Sequence, residues 1–173
     1  KVEQRGRTVI KPVRTIVILG IIFATGSCSG LIVLGFASQI LPSEAVSVGL
    51  ASLTIFLAAV GNTLGRLSAT LSAGKFGPAR GIAGALVLSM IALCGLIVST
   101  ATSVIGAMLF VVAFAYGQLA ATMPLMVREQ VNESSFSGAF GWVFIGWGVA
   151  GLVGPWSAGW FLDVTGTVRF SLA

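Results

Sequence analysis

The stretch Thr15–Ile40, TIVILGIIFATGSCSGLIVLGFASQI, contains no charged residue. It exceeds the roughly 20 residues an α-helix needs to cross about 30 Å of hydrocarbon. A basic leader, Lys1, Arg5, Arg7, Lys11 and Arg14, stands just before it. This arrangement is not a secretory signal, because the run is far longer than a signal core of roughly 7–15 residues and no small-residue cleavage site closes it. Four more runs of the same kind follow: Ala45–Gly65, Ala79–Thr100, Ser103–Val127 and Phe136–Leu162.

The charges between the runs alternate. The first gap holds only Glu44, the second holds Arg66, Lys75 and Arg80, the third holds no cation, and the fourth holds Arg128. Nine of the ten cations fall on one side and only Arg169 falls on the other. Segregation of this kind places the amino terminus and the basic loops at the cytoplasmic face. The chain is therefore expected to be an all-α, polytopic membrane helical bundle over 15–173, preceded by a polar segment over 1–14 in which Pro12 discourages helix.

Composition excludes several functions. Hydrophobic residues make up 56% and charged residues 9% of the chain, against about 25% charged in a soluble domain. The net charge of +5 follows from topology, so the leader's partner is the anionic headgroups of membrane lipid and not nucleic acid. Histidine is absent, which removes the commonest metal ligand and the usual general base. Cys28 and Cys94 sit in separate runs without ligand spacing and are expected to pack. The segment Gly26-Ser27-Cys28-Ser29-Gly30 has cysteine where a nucleophile elbow has serine, and it lies inside a helix. No enzyme activity, cofactor or metal is expected.

The linkers are short. Leu41–Glu44 is a tight outer turn in which Ser43 or Glu44 can serve the next helix. Arg66–Arg80 is a longer cytoplasmic connection broken by Gly74, Gly77 and Pro78. Asn132–Ser135 offers caps for the last helix, and Asp163–Gly166 is an outer turn. Glycines spaced by four, Gly26/Gly30, Gly61/Gly65 and Gly77/Gly81, provide close helix contacts, as do Gly141 and Gly148 with Gly151, Gly154 and Pro155 beyond. Such helices either pack tightly or also bend during gating. The chain opens on lysine and closes at Ala173 within a new apolar onset, Val168–Ala173. It is expected to be part of a longer protein, with five complete spans and the start of a sixth.

Counting to the middle of each run gives Ser27, Thr54, Tyr116 with Gln118, and Trp147. The third run has only Ser89 and Cys94 near its centre and is expected to be lipid-facing or structural. Polar groups at this depth must meet one another or line a wet cavity. Gln118 fits an interhelical bond or a solute contact, and Tyr116 and Trp147 fit packing or a cavity. Read this way, no charged residue lies in the central part of any span.

The segment Gly61-Asn62-Thr63-Leu64-Gly65-Arg66-Leu67, continuing to Gly74-Lys75-Phe76-Gly77, resembles the loop motif after helix 8 of major facilitator transporters. Gly141–Pro155 (GWVFIGWGVAGLVGP) with Asp163–Gly166 resembles helix 11 of the oxalate/formate antiporter family, and Tyr116-Gly117 with Met123-Pro124 resembles its helix 10. The resemblance implies that the runs are helices 7 to 11 of a twelve-helix fold, with 1–14 the end of the central cytoplasmic loop and an amino-terminal six-helix half as partner. It implies a secondary transporter moving a small organic anion across the cytoplasmic membrane by alternating access, with a cytoplasmic gate formed by Gly61, Gly65, Arg66, Gly74, Lys75 and Gly77. The substrate cavity would use Ser27, Thr54, Tyr116, Gln118 and Trp147. Gly74 stands where the family motif carries an acid. Oxalate-moving members place cations in helices 8 and 11; here the second run, read as ending at Gly65, has none, and the helix 11 position falls at or beside Trp147. A monocarboxylate or a less charged solute is therefore expected, unless the amino-terminal half supplies the charge. A proton-driven exporter of the same fold, and a non-transporting sensor or assembly subunit, are the alternatives. The topology predicts that cysteines replacing Glu44 and Lys75 react with an impermeant thiol reagent from opposite sides of the bilayer; labelling of both from one side would refute it.

Overall fold

The computed structural model describes residues 12–41 and 47–166. Five long helices account for nearly all of them: α1 (Pro12–Phe36), α2 (Val48–Phe76), α3 (Pro78–Val98), α4 (Thr102–Gln130) and α5 (Phe136–Thr165). Each is long and apolar enough to cross a bilayer. Helices satisfy every backbone polar group internally, which hydrocarbon requires. The leader before Pro12, the turn residues Pro42, Ser43 and Glu44, and Arg169 with the apolar onset Val168–Ala173 lie outside the described residues.

Local chemistry sets the ends. Pro12 opens α1, where its missing N–H costs nothing. The apolar run continues past Phe36 as a buried turn through Ile40 and Leu41. Ser47 caps α2, its hydroxyl accepting from Leu50 N at 3.2 Å. Gly166, at φ 70°, ends α5 with its N–H on Leu162 O at 2.8 Å, so the expected outer turn over Asp163–Thr165 is instead the final turn of that helix. A short 3₁₀ turn, Glu133–Ser135, leads into α5 and supplies no side-chain cap.

The largest departure is in α2. It does not stop at Gly65 but runs unbroken through Arg66, Gly74 and Lys75 to Phe76. The expected loop shrinks to Gly77, whose φ of 81° only glycine adopts readily, and Pro78 then starts α3. The motif Gly61–Gly77 is therefore a helix and a one-residue corner.

The helices assemble around α4, which packs against α2, α3 and α1, whereas α5 packs chiefly on α1. The α2–α4 seam is the closest. A Cβ at Gly61 would lie 2.5 Å from the Phe110 carbonyl oxygen; one at Gly65 would strike the Phe114 carbonyl, and one at Gly117 the Asn62 carbonyl. Gly26 and Gly30 on α1 receive Leu119 and the Tyr116 ring of α4. On α5 the packing glycines are Gly146, against the Gly20 carbonyl, and Gly154, against Cys28. Of the other glycines expected there, Gly151 meets only Leu31, and Gly141 and Gly148 have no neighbour within 4 Å, as is also true of Gly77.

Two apolar clusters form the interior. Ile32, Val33, Leu96, Ile105, Leu109 and Val112 fill the outer half. Leu19, Phe23, Ile82, Leu119, Met123 and Val143 fill the inner half. Large apolar side chains also cover the outside, among them Phe56 and Leu71 on α2, Met90 and Ile91 on α3, and Trp142, Leu152 and Trp156 on α5. Water would not tolerate so much contiguous apolar surface; lipid does. The α2–α4 seam yields a stability prediction. Gly65→Val should lower thermal stability in detergent markedly, by about 3 kcal/mol or more, while Gly148→Ala should be neutral. Equal melting temperatures for the two variants would refute the seam.

Candidate functional site

The length of α3 fixes depth. Its 21 residues span about 31 Å, just the thickness of the hydrocarbon. Because one residue joins α2 to α3, Phe76 and Pro78 share the inner boundary. The antiparallel register follows from Gly81, where a Cβ would lie 3.5 Å from Ser72 Oγ. Continuing that register places residue 66 opposite residue 87, next to the middle of α3. Arg66 is thus about 15 Å from the helix end, at mid-depth. The expectation that no charge lies in the central part of a span is corrected here, because α2 continues past the point where its apolar run ends. Arg66 Nε donates to Asn62 Oδ1 at 3.4 Å, and Asn62 itself flanks the Gly117 seam. The other described cations, Arg14, Lys75, Arg80 and Arg128, lie within three residues of a helix end. Lys75 holds its ammonium 5.2 Å above the Phe76 ring.

Between the two apolar clusters lies a polar layer. Trp147 Nε1 donates to Tyr116 Oη at 2.8 Å, linking α5 to α4. The indole also stacks on Phe144, ring centroids 4.8 Å apart. Tyr116 is buried and Trp147 half-buried. Gly30 lies under the Tyr116 ring because any side chain there would occupy its place. Ser27 shares that face of α1, three residues before Gly30, and is wholly buried. Its hydroxyl is the one buried side-chain polar atom among the described residues without a hydrogen-bond partner.

Two of the expected cavity residues lie elsewhere. Thr54 is buried toward the outer end of α2, its hydroxyl donating to Ala51 O at 2.8 Å and Leu50 O at 3.2 Å. It faces an apolar pocket shared with Leu53, Leu57, Gly106 and Phe110. Thr54 is the middle of the apolar run that stops at Gly65, whereas the middle of the whole helix is Asn62. Gln118 Nε2 donates to Ser72 Oγ at 3.2 Å, an interhelical bond on the side of the seam toward the α2–α3 corner. The structure thus brings Tyr116, Trp147 and the Ser27 face together, and leaves Thr54 and Gln118 apart.

Sequence reasoning missed Asn62, the central polar group of α2, and Ser29, whose hydroxyl lies 3.4 Å from that of Ser89 and ties α1 to α3. That pair agrees with the structural role expected of α3. Asn62 could have been found from its place four residues before Arg66, the (i, i+4) spacing at which helical side chains meet. Arg128 and Glu133 form a 3.8 Å ion pair that is well exposed, so it contributes little.

Comparison with protein-family models finds no match, and comparison with curated proteins finds none either. The structure itself defines the class: an all-helical, multi-pass membrane protein with a cation and an aromatic–hydroxyl pair at mid-depth. Removing the orphan hydroxyl by Ser27→Ala should raise stability in the ligand-free state by up to about 1 kcal/mol, whereas Trp147→Phe, which deletes the indole donor, should lower it by about 1 kcal/mol. Thermal unfolding in detergent checks both, and a destabilised Ser27→Ala protein would show that its hydroxyl is bonded after all.

Proposed function

We propose that this chain is the carboxy-terminal half of a major facilitator-type secondary transporter of the cytoplasmic membrane, and that it moves a small monocarboxylate by alternating access. The observation that carries the reading is the mid-depth position of Arg66. A cation at that depth is costly and is kept where it meets a partner or lines a solute path. Among the described residues the acids Glu129, Glu133 and Asp163 all lie far from it, near helix ends, so its counter-charge comes from the solute. One cation balances one carboxylate. A second negative charge would lack a partner in this half and would cost several kcal/mol to bury.

The packing supports the same reading. Inverted-repeat transporters place their solute near the midplane between two halves that rock about it. Here the polar layer lies at that level between two apolar clusters. Exchange of one anion for another requires no protonatable group at depth, in keeping with the helix-end position of the described acids. Gly77 and the helical Gly74–Phe76 segment form the inner corner that a rocking half would carry with it.

Proteoliposome counterflow with formate, acetate and lactate tests the function; absence of saturable exchange for all three would reject it. The sequence motif alone assigns Arg66 to a cytoplasmic gate, where its loss slows turnover and spares affinity. Its depth instead predicts that Arg66→Gln raises the half-saturation concentration by about a hundredfold or more, since hydrogen bonds to charged groups contribute about 1.5–3 kcal/mol and the lost charge adds to this. Slower exchange with unchanged half-saturation would return Arg66 to the gate.

A further inference from the structure

The polar layer holds three donors, the Trp147 indole N–H and the Tyr116 and Ser27 hydroxyls, with one bond between them. An indole N–H can only donate, and Trp147 donates to the Tyr116 oxygen. That engages one lone pair of the phenol and turns the phenol's own hydrogen away from the indole. No group among the described residues accepts that hydrogen. The Ser27 hydroxyl is likewise without a partner.

The position of Ser27 relates the three. Gly30, one turn outward on the same face, packs on the base of the Tyr116 side chain. Gly20, two turns inward, meets Gly146, the residue before Trp147. Phe23, one turn inward, packs on Phe144 at 6.3 Å, and Phe144 stacks on Trp147. Ser27 therefore lies on the stripe of α1 bracketed by both members of the hydrogen-bonded pair. A hydroxyl buried without a partner at such a place carries a cost unless something supplies an acceptor.

We infer that Ser27 and Tyr116 form a two-hydroxyl seat for an acceptor-only oxygen group, the carboxylate of the transported anion, and that Trp147 is a positioning residue acting through Tyr116. This rests on the transport reading above, and it assigns roles that Arg66 does not fill. Arg66 would supply charge, and the hydroxyls would fix orientation through short O–H···O⁻ bonds. Half-buried Trp147 marks the side from which the carboxylate enters.

The test is a mutant cycle read by half-saturation of radiolabelled acetate counterflow in the intact, reconstituted protein, with formate and lactate as further probes. Tyr116→Phe should raise the half-saturation concentration about tenfold and Ser27→Ala about three- to tenfold, with maximal exchange rates largely kept. Trp147→Phe should raise it in the unaltered background and add nothing in the Tyr116→Phe background, because its effect passes through the phenol. Full additivity of Trp147 and Tyr116 substitutions would overturn the positioning role. Unchanged half-saturation in both Ser27→Ala and Tyr116→Phe, with exchange intact in the parent, would overturn the seat alone. No exchange of any probe by the parent would remove the transport reading and the seat together. Ser27→Thr, which keeps the hydroxyl, should recover most of the affinity lost in Ser27→Ala; failure to do so despite normal folding would also count against the seat.

Discussion

Backbone-to-backbone contact between α2 and α4 is the constraint from which the rest of the architecture follows. Helices in lipid gain nothing by hiding apolar side chains from one another, so association depends on close approach. Gly61, Gly65 and Gly117 permit it, bringing α2 against the Phe110 and Phe114 carbonyls and α4 against the Asn62 carbonyl. That seam sets the level of α2 relative to α4. It thereby fixes Asn62 and Arg66 beside the middle of the bundle, and it leaves the opposite faces of α4 free to receive α3 and α1.

A second consequence concerns how polarity is distributed. The interior is not uniformly apolar but stacked: an outer apolar cluster, a layer of hydroxyls, one amide, one indole and one guanidinium, then an inner apolar cluster. Apolar packing on both sides of the layer holds its side chains in place, and small residues at Gly26 and Gly30 make room for the Leu119 and Tyr116 side chains. The membrane penalises this layer, so its presence requires either mutual satisfaction or a visiting solute. Ser29 with Ser89 follows the first course, and Ser27 does not.

Much of this was legible in the residues. The five spans, the glycine faces of α1 and α2, and the mid-span depth of Tyr116 and Trp147 all follow from apolar run length and position, whereas the bond between those two does not. The true end of α2 did not. Ser68, Thr70 and Ser72 look like loop residues, yet each hydroxyl donates to a carbonyl of its own helix, on Gly65, Leu67 and Ala69. Hydroxyls satisfied in this way do not interrupt a helix, and the polar stretch therefore concealed eleven further residues of α2, 66–76. The same hidden extension of α2 puts Arg66 deeper, and Thr54 farther from the centre, than the apolar run alone implies. In α5, spacing alone could not tell the covered glycine face, Gly146 and Gly154, from the bare one that carries Gly141 and Gly148.

The α1–α5 contact has a consequence for biosynthesis. Of the five described helices, the earliest made finds a principal partner in the latest made, with Gly20 waiting for Gly146. At 5–20 residues per second that interval lasts roughly 10 s, during which α1 sits in lipid with its glycine stripe uncovered. Translocon-associated chaperones that shield such a stripe, or the early arrival of α4 beside Gly26 and Gly30, would decide how much of the newly made protein reaches the finished bundle.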